Sequence, residues 1–401
     1  MNSKMNPFFL MVIVYIIIAI IEAIQVVMTQ FFHAPHLANI IWFKVHFITI
    51  GILTQSIFGA VPLVLSWRKN IENNINWIIW TLLNSGLGTL IIGFSQTNEF
   101  FIYTGGTLIF IATFLLIVDI IKLLQVNNEN LLTTVNLFYI TGLVYLFIGI
   151  TIGVSLLTSY SGFWNNKSPL ETHIHANSWG FLSLVFTGLV IDYFPVFFKE
   201  KLLSAKMEKI VYSLMTVGAL GLVIGPWTGI LYILVPGLLL HITATLLFLY
   251  SLIKYVIKNN LTKNLGLLHF ISAYAWLFAP LMVSPFVIFK VPGFDYVEAN
   301  APEALIYGWA LMVGVAIVPY FINKYFLPTS KATLGGNWIT LLFLHLGSII
   351  LWISIFTEGN PMTHGIAYIC WIIALIAFLF EVYILITKND ISEAEQKLVQ
   401  V

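Results

Sequence analysis

Nine histidines offer the most chemistry in this chain: His33, His36, His46, His173, His175, His241, His269, His345 and His364. An ionisable side chain inside an apolar run is a functional candidate by default. Neutral imidazole is also the commonest metal ligand near neutral pH. His173 and His175 are two residues apart, which on a helix is about 200° of rotation. Such a pair cannot chelate one ion, but each ring can reach a separate group on opposite sides, as a helix wedged between two planar macrocycles would need. In a non-helical entry turn the same pair could hold one surface metal or nothing. The metal-ligand candidates are His46, His173, His175, His241 and His345. For His241 and His345, at membrane depth, pairing to a neighbouring helix is an equally good reading. His33, His36, His364 and His269 read as interfacial or helix-pairing residues. Among the carboxylates, Glu22 has no lysine near it in sequence and is a candidate for proton transfer. Asp119, Asp192 and Glu381 stand close to Lys122, Lys199 and Lys388 and read as snorkelling pairs.

The elements that must position these residues follow from composition. Of 401 residues, 59% are hydrophobic and 9% charged, against roughly 25% charged in a soluble domain. A soluble, disordered, collagen-like or disulfide-built protein is excluded. The single cysteine, Cys370, rules out an intrachain disulfide, and the net charge of +1 offers nothing to nucleic acid. The expected fold is all-α and polytopic, one integral membrane domain over 1–401. Its twelve transmembrane helices are expected near 8–31, 39–66, 75–96, 99–124, 131–159, 172–198, 208–229, 231–257, 264–289, 301–326, 336–357 and 362–387. The first segment is too long for a signal-peptide core. With both termini on one side, fifteen of the eighteen lysines and arginines gather there, leaving Lys44, Lys167 and Lys290 opposite. That bias predicts a multi-pass cell-membrane protein, in contact with lipid, with cytoplasmic termini and a cytoplasmic tail at 389–401.

Spacing also reveals a repeat. His46-Phe-Ile-Thr-Ile-Gly51 and Phe58-Gly59 recur as His175-Ala-Asn-Ser-Trp-Gly180 and Thr187-Gly188, all at one constant offset. A fainter copy runs Glu303-Ala-Leu-Ile-Tyr-Gly308. Tyr15, Tyr145 and Tyr274 precede these segments, and Gly88, Gly218 and Gly347 follow them. Repeats over 1–129, 130–259 and 260–388 predict three pseudo-symmetric four-helix arcs. Helices 2, 6 and 10 are then equivalent, with His46, His175 and Glu303 at the same outer end.

The run His173-Ile-His175-Ala-Asn-Ser-Trp-Gly180-Phe resembles the His-x-His-x4-Gly helix of haem–copper oxidase subunit I. It is most similar to C-family oxidases and nitric oxide reductases, and also to NnrS-type proteins. The resemblance implies non-covalent, b-type haem, the first histidine ligating a high-spin haem and the second a low-spin one. It also implies electron transfer to, or binding of, a diatomic gas, oxygen or nitric oxide, with copper as a further candidate metal. On that reading His46 and His175 are axial ligands of a low-spin haem and His173 faces a second, five-coordinate one. Glu303 is a proton donor or metal ligand, and Glu22 a relay. The electron donor would be quinol or a small membrane carrier, because there is no CxxCH motif and no extramembrane redox domain. The pattern departs from the family in several places. The His-x-His pair sits on the sixth helix instead of the tenth, residues 208–229 lack copper-ligand histidines, no His-x3-Tyr pair follows, and the sole arginine, Arg68, is on the side opposite to haem propionates. A complete proton-pumping oxidase is therefore not expected. The competing readings are a copper- or haem-handling protein that protects against nitrosative stress, and a secondary transporter.

Overall fold

The structure is a computed structural model that describes residues 6–35, 39–68, 76–126, 129–156, 165–198, 200–326 and 334–399. His36 and four cations that enter the expected topology, Lys4, Lys69, Lys199 and Lys331, lie outside the described residues. Every regular element among the described residues is helical. Twelve helices are long and apolar enough to cross a membrane: α1 (Pro7–Phe32), α2 (Ile40–Trp67), α3 (Trp77–Gln96), α4 (Glu99–Val126), α5 (Thr134–Ser155), α6 (Pro169–Pro195), α7 (Ala205–Thr228), α8 (Leu231–Lys258), α9 (Leu265–Ile288), α10 (Tyr296–Ile322), α11 (Trp338–Phe356) and α12 (Pro361–Thr387). Helices suit a bilayer, because they pair their own backbone groups where no water is present to do so. The last helix runs on to Val399, so the expected tail begins as a continuation of α12.

Helix starts are written locally. Asn6, Asn76, Ser204 and Asn264 precede α1, α3, α7 and α9, and each side-chain oxygen accepts an N–H of the first turn. Asn337 and Thr340 cap the start of α11 reciprocally. Glu381 of α12 is placed there too. Its carboxylate accepts from the Gly336 N–H at 2.8 Å and from Asn337 Nδ2 at 3.1 Å, where a helix N-terminus favours negative charge. Glu381 thus acts as a cap; the side chain of Lys388, its expected partner, lies outside the described residues.

The chain divides into two compact units, one of residues 1–59 with 260–401 and one of residues 60–259. The first holds α1, most of α2 and α9–α12. The second holds the end of α2 and α3–α8. Three helices are buried along most or all of their membrane-spanning length, namely α2, α6 and α10. Each contains a π turn: Phe47–Thr54, Ala176–Leu182 and Ile306–Ala310. Gln55, Ser183 and Leu311 each donate their N–H to a carbonyl five residues back. The turns open at Phe47, Ala176 and Ile306, at nearly equal intervals along the chain. Such turns are rare and collect at functional sites.

The glycines of the repeat sit at close helix crossings. A Cβ on Gly51 would stand 2.8 Å from the Tyr15 ring, and one on Gly180 would stand 2.4 Å from the Tyr145 ring. Eight residues on, a Cβ on Gly59 would meet Phe8 Cβ at 2.9 Å, and one on Gly188 would meet Phe138 Cβ at 2.8 Å. The first unit therefore packs α1 on α2 much as the second packs α5 on α6.

Candidate functional site

The start of α6 places the His-x-His pair. Pro169 opens the helix, a position where its missing N–H costs nothing. His173 and His175 close the first turns, just before the π turn. His173 points to α5. Its Nδ1 lies 2.7 Å from Gly149 O, and its ring fills the space where a Cβ on Gly153 would stand, 2.5 Å away. His175 points to α7, with Nδ1 2.7 Å from Leu222 O. The two rings thus address two different helices, as their angular separation predicts.

The Leu222 carbonyl is available for a local reason. In an α-helix it would accept from the N–H of residue 226, but that residue is Pro226 and has none. A carbonyl can only accept, so Nδ1 of His175 carries the proton and the lone pair sits on Nε2. No described residue is seen to hydrogen-bond that Nε2. This is how metal-ligating histidines are commonly oriented, with one nitrogen tied to a backbone carbonyl and the other left for the metal. Nδ1 of His173 faces Gly149 O and Nδ1 of His46 faces Trp42 O at 2.8 Å. The same argument puts the Nε2 lone-pair tautomer on both. The His46 ring also stacks on Trp42, with centroids 4.4 Å apart and planes 11° apart. His46 belongs to the first unit and His175 to the second.

Three other histidines, His241, His345 and His269, hold helices together. The π turn of α6 sends the Ser183 N–H to Ser178 O, which deprives Trp179 O of its α-helical donor. His241 of α8 supplies the missing contact, its Nε2 lying 3.1 Å from Trp179 O. His345 of α11 has both nitrogens engaged: Trp276 Nε1 donates to Nδ1 at 3.0 Å, and Nε2 meets Ser272 Oγ at 2.9 Å. His269 bonds Leu265 O and Thr340 Oγ1, as a helix-pairing histidine should. His364 lies against the Tyr368 ring, and His33 ends α1 in a left-handed turn. Among the described residues, no three His, Cys, Asp or Glu side chains are grouped so as to hold a metal ion. The donor at the start of α6 is thus a single oriented imidazole, His175, of the kind that could serve as one axial ligand.

Two ion clusters complete the polar interior, one in each unit. In the first unit Lys44 Nζ donates to Glu303 Oε2 at 3.0 Å, with both residues buried. Tyr368 O–H donates to Glu303 Oε1. Tyr307 O–H reaches Lys44 O at 3.0 Å and stacks on Trp371. Glu22 is buried within electrostatic reach of Lys44 and Glu303, yet neither of its carboxyl oxygens has a hydrogen-bond partner. In the second unit Arg68 forks onto both oxygens of Asp192, at 3.1 and 2.7 Å, and also reaches Glu129 at 2.6 Å and Asn136 at 2.8 Å. Tyr139 O–H adds a bond to Asp192 at 2.8 Å. Burial opposes the Arg68 charge, but Asp192 and then Tyr139 and Glu129 outweigh it and hold the guanidinium above its ordinary pKa. Asp192 is therefore a counter-ion of Arg68, while Lys199, its expected neighbour, lies outside the described residues. Asp119 hydrogen-bonds Asn76, with Lys122 in electrostatic reach.

Sequence reasoning treats Lys44 only as one of the few cations on its side and misses it as the partner of Glu303. A signal is present, because position 44 aligns with His173 under the offset of the repeat. Tyr307, Tyr368 and Leu222 are also missed. Pro226, four residues after Leu222, is the clue to the last.

No protein-family model, curated protein or solved structure matches this chain.

Proposed function

We propose that the chain is a haem-binding membrane redox protein of the haem–copper oxidase subunit I kind, transferring electrons to, or binding, oxygen or nitric oxide. The observation that supports this best is His175, whose Nδ1 is tied to Leu222 O while its Nε2 lone pair is left to a ligand. His46 and His173 share that tautomer and are the further ligand candidates. A bound haem supplies a one-electron carrier and, where an axial position stays open, a place for a diatomic gas. The chain's own contribution is orientation. Leu222 O and Gly149 O fix the two imidazoles, and the π turn sets the rotation of α6 behind them. Glu303 and Glu22 contribute carboxyl groups for proton transfer. Under this proposal the three buried π-turn helices centre three four-helix arcs, both termini are cytoplasmic, the membrane is the cell membrane, and quinol or a small membrane carrier donates the electrons.

The deciding experiment is a pyridine haemochrome assay with reduced-minus-oxidised spectra on detergent-purified wild type and His175→Ala. A low-spin haem present in the first and lost in the second supports the proposal. A fully haem-supplied wild type without haem would sink it. A second reading, a proton-driven secondary transporter, is favoured by the buried Lys44–Glu303 pair with Glu22 beside it. It predicts solute flux in haem-free proteoliposomes, lost in Glu303→Gln.

A further inference from the structure

The first unit contains a charge count that does not close. Lys44 supplies one ammonium, while Glu22 and Glu303 supply two carboxyls. Glu303 takes the ammonium on one oxygen and the Tyr368 hydroxyl on the other. Glu22, 5% exposed, takes nothing on either oxygen. An ionised carboxylate with no donor, removed from water, costs several kcal/mol. Such a group resolves the cost by binding a cation or a proton. A metal cation is poorly served here. Calcium or magnesium wants about six oxygen ligands, and no described residue bonds to either Glu22 oxygen. A proton needs only the carboxyl itself.

We propose that Glu22 is a buried site for one exchangeable proton, with Lys44 as the ammonium that either Glu22 or Glu303 can claim. While Glu22 holds its proton, Lys44 neutralises Glu303. When the proton leaves, the two carboxylates share one ammonium, and Tyr368 continues to donate to Glu303. No bond other than the O–H of Glu22 is made or broken. The titratable groups facing the site are Lys44 from α2, Glu303 and Tyr307 from α10, and Tyr368 from α12, with His364 of α12 beyond them in reach of Lys44 and Glu303. Glu22 is the only one of these that lies on α1. The site thus joins three other helices of its unit through a single proton. This inference rests on the cluster alone and stands independently of the haem reading.

The test is infrared spectroscopy of the detergent-purified full chain in H2O and D2O at neutral pH, since only protonated carboxyls absorb in the acid C=O region. Wild type should show a C=O band that moves to lower frequency in D2O. Glu22→Gln, which keeps the side-chain volume, should lose that band, and Glu303→Gln should weaken it, because Glu22 then claims the Lys44 ammonium. Lys44→Gln should show about twice the band intensity, because Glu303, stripped of its ammonium, takes up a proton as well. A Glu22→Gln protein with unchanged melting temperature and an unchanged band would overturn the proposal. So would a band that sodium chloride removes at constant pH, since the occupant would then be a metal cation. Haem content measured in the same preparations separates a failure here from a failure of the His175 assignment.

Discussion

Positions 44 and 46 of α2 and positions 173 and 175 of α6 occupy the same register of the repeat, just ahead of a π turn. Their fates differ. On α6 both rings are gripped by other helices, His173 by α5 and His175 by α7. On α2 the ring of His46 is tied to Trp42, one turn back in its own helix, and Lys44 reaches across to a carboxylate. One register has thus been used for two purposes. In the second unit it preorganises imidazoles through tertiary contacts. In the first it buries an ion pair and sets the imidazole against a carbonyl and an indole of its own helix. A ligand held by a neighbouring helix is oriented before anything binds, whereas one held by its own turn moves with that turn.

Substitutions can break this contrast or sharpen it. The largest effect is expected from Lys44→Met, which leaves the buried Glu303 without its ammonium, so that it must take up a proton on folding, and should cost roughly 3–5 kcal/mol. His173→Met removes a neutral hydrogen bond and should cost only about 1–3 kcal/mol. Thermal unfolding in detergent compares the two, and equal losses would mean that the ion pair does no more than a carbonyl contact. The Lys44→Met loss should shrink as the pH is lowered, because a protonated Glu303 no longer needs a cation. Pairing it with Glu303→Met should restore much of the stability.

Next come the helix crossings. Gly180→Ala drives a methyl into the Tyr145 ring, whose hydroxyl is held by Thr216 O at 2.8 Å and resists displacement. Overpacking of this kind costs about 1–3 kcal/mol, offset by up to about 1 kcal/mol of helix propensity. Gly51→Ala should lose less, because its methyl meets Tyr15 at 2.8 Å, whereas that of Gly180→Ala meets Tyr145 at 2.4 Å. If Gly51→Ala proved the worse of the two, the close packing would be tighter in the first unit. A smaller change, Tyr145→Phe, removes only the bond to Thr216 O and should cost about 0.5–1.5 kcal/mol. The smallest is Glu22→Gln, expected within about 0.5 kcal/mol of wild type, since neither carboxyl oxygen has a partner to lose. A loss several times larger would reveal an ionised Glu22 tied to Lys44.

The fold was legible because a bilayer leaves few choices. Apolar runs long enough to span it are helices, and the twelve expected spans coincide with the twelve helices found. The constant offset of the repeat also pointed to α2, α6 and α10, the three helices that prove most buried. Partners were less legible, because helix contacts join residues far apart in sequence. Asp192 takes Arg68, 124 residues away in the chain, whose planar fork matches a carboxylate on both oxygens. Glu381, read against its neighbour Lys388, caps α11, a role its sequence position does not announce. For His175 the deciding group is a backbone carbonyl, which carries no residue-type signal of its own. Only the proline that frees it is visible in a sequence.

The Arg68 cluster has a consequence for how the chain is made. Arg68 precedes Glu129 by 61 residues and Asp192 by 124. At about 5–20 residues per second, Asp192 is synthesised roughly 6–25 s after the arginine it will clasp. During that interval α3, α4 and α5 enter the membrane while the end of α2 carries a guanidinium still waiting for its main counter-ion. Closure of the Arg68 cluster is therefore timed by α6, and the helix that delivers Asp192 is the same one that carries His173 and His175.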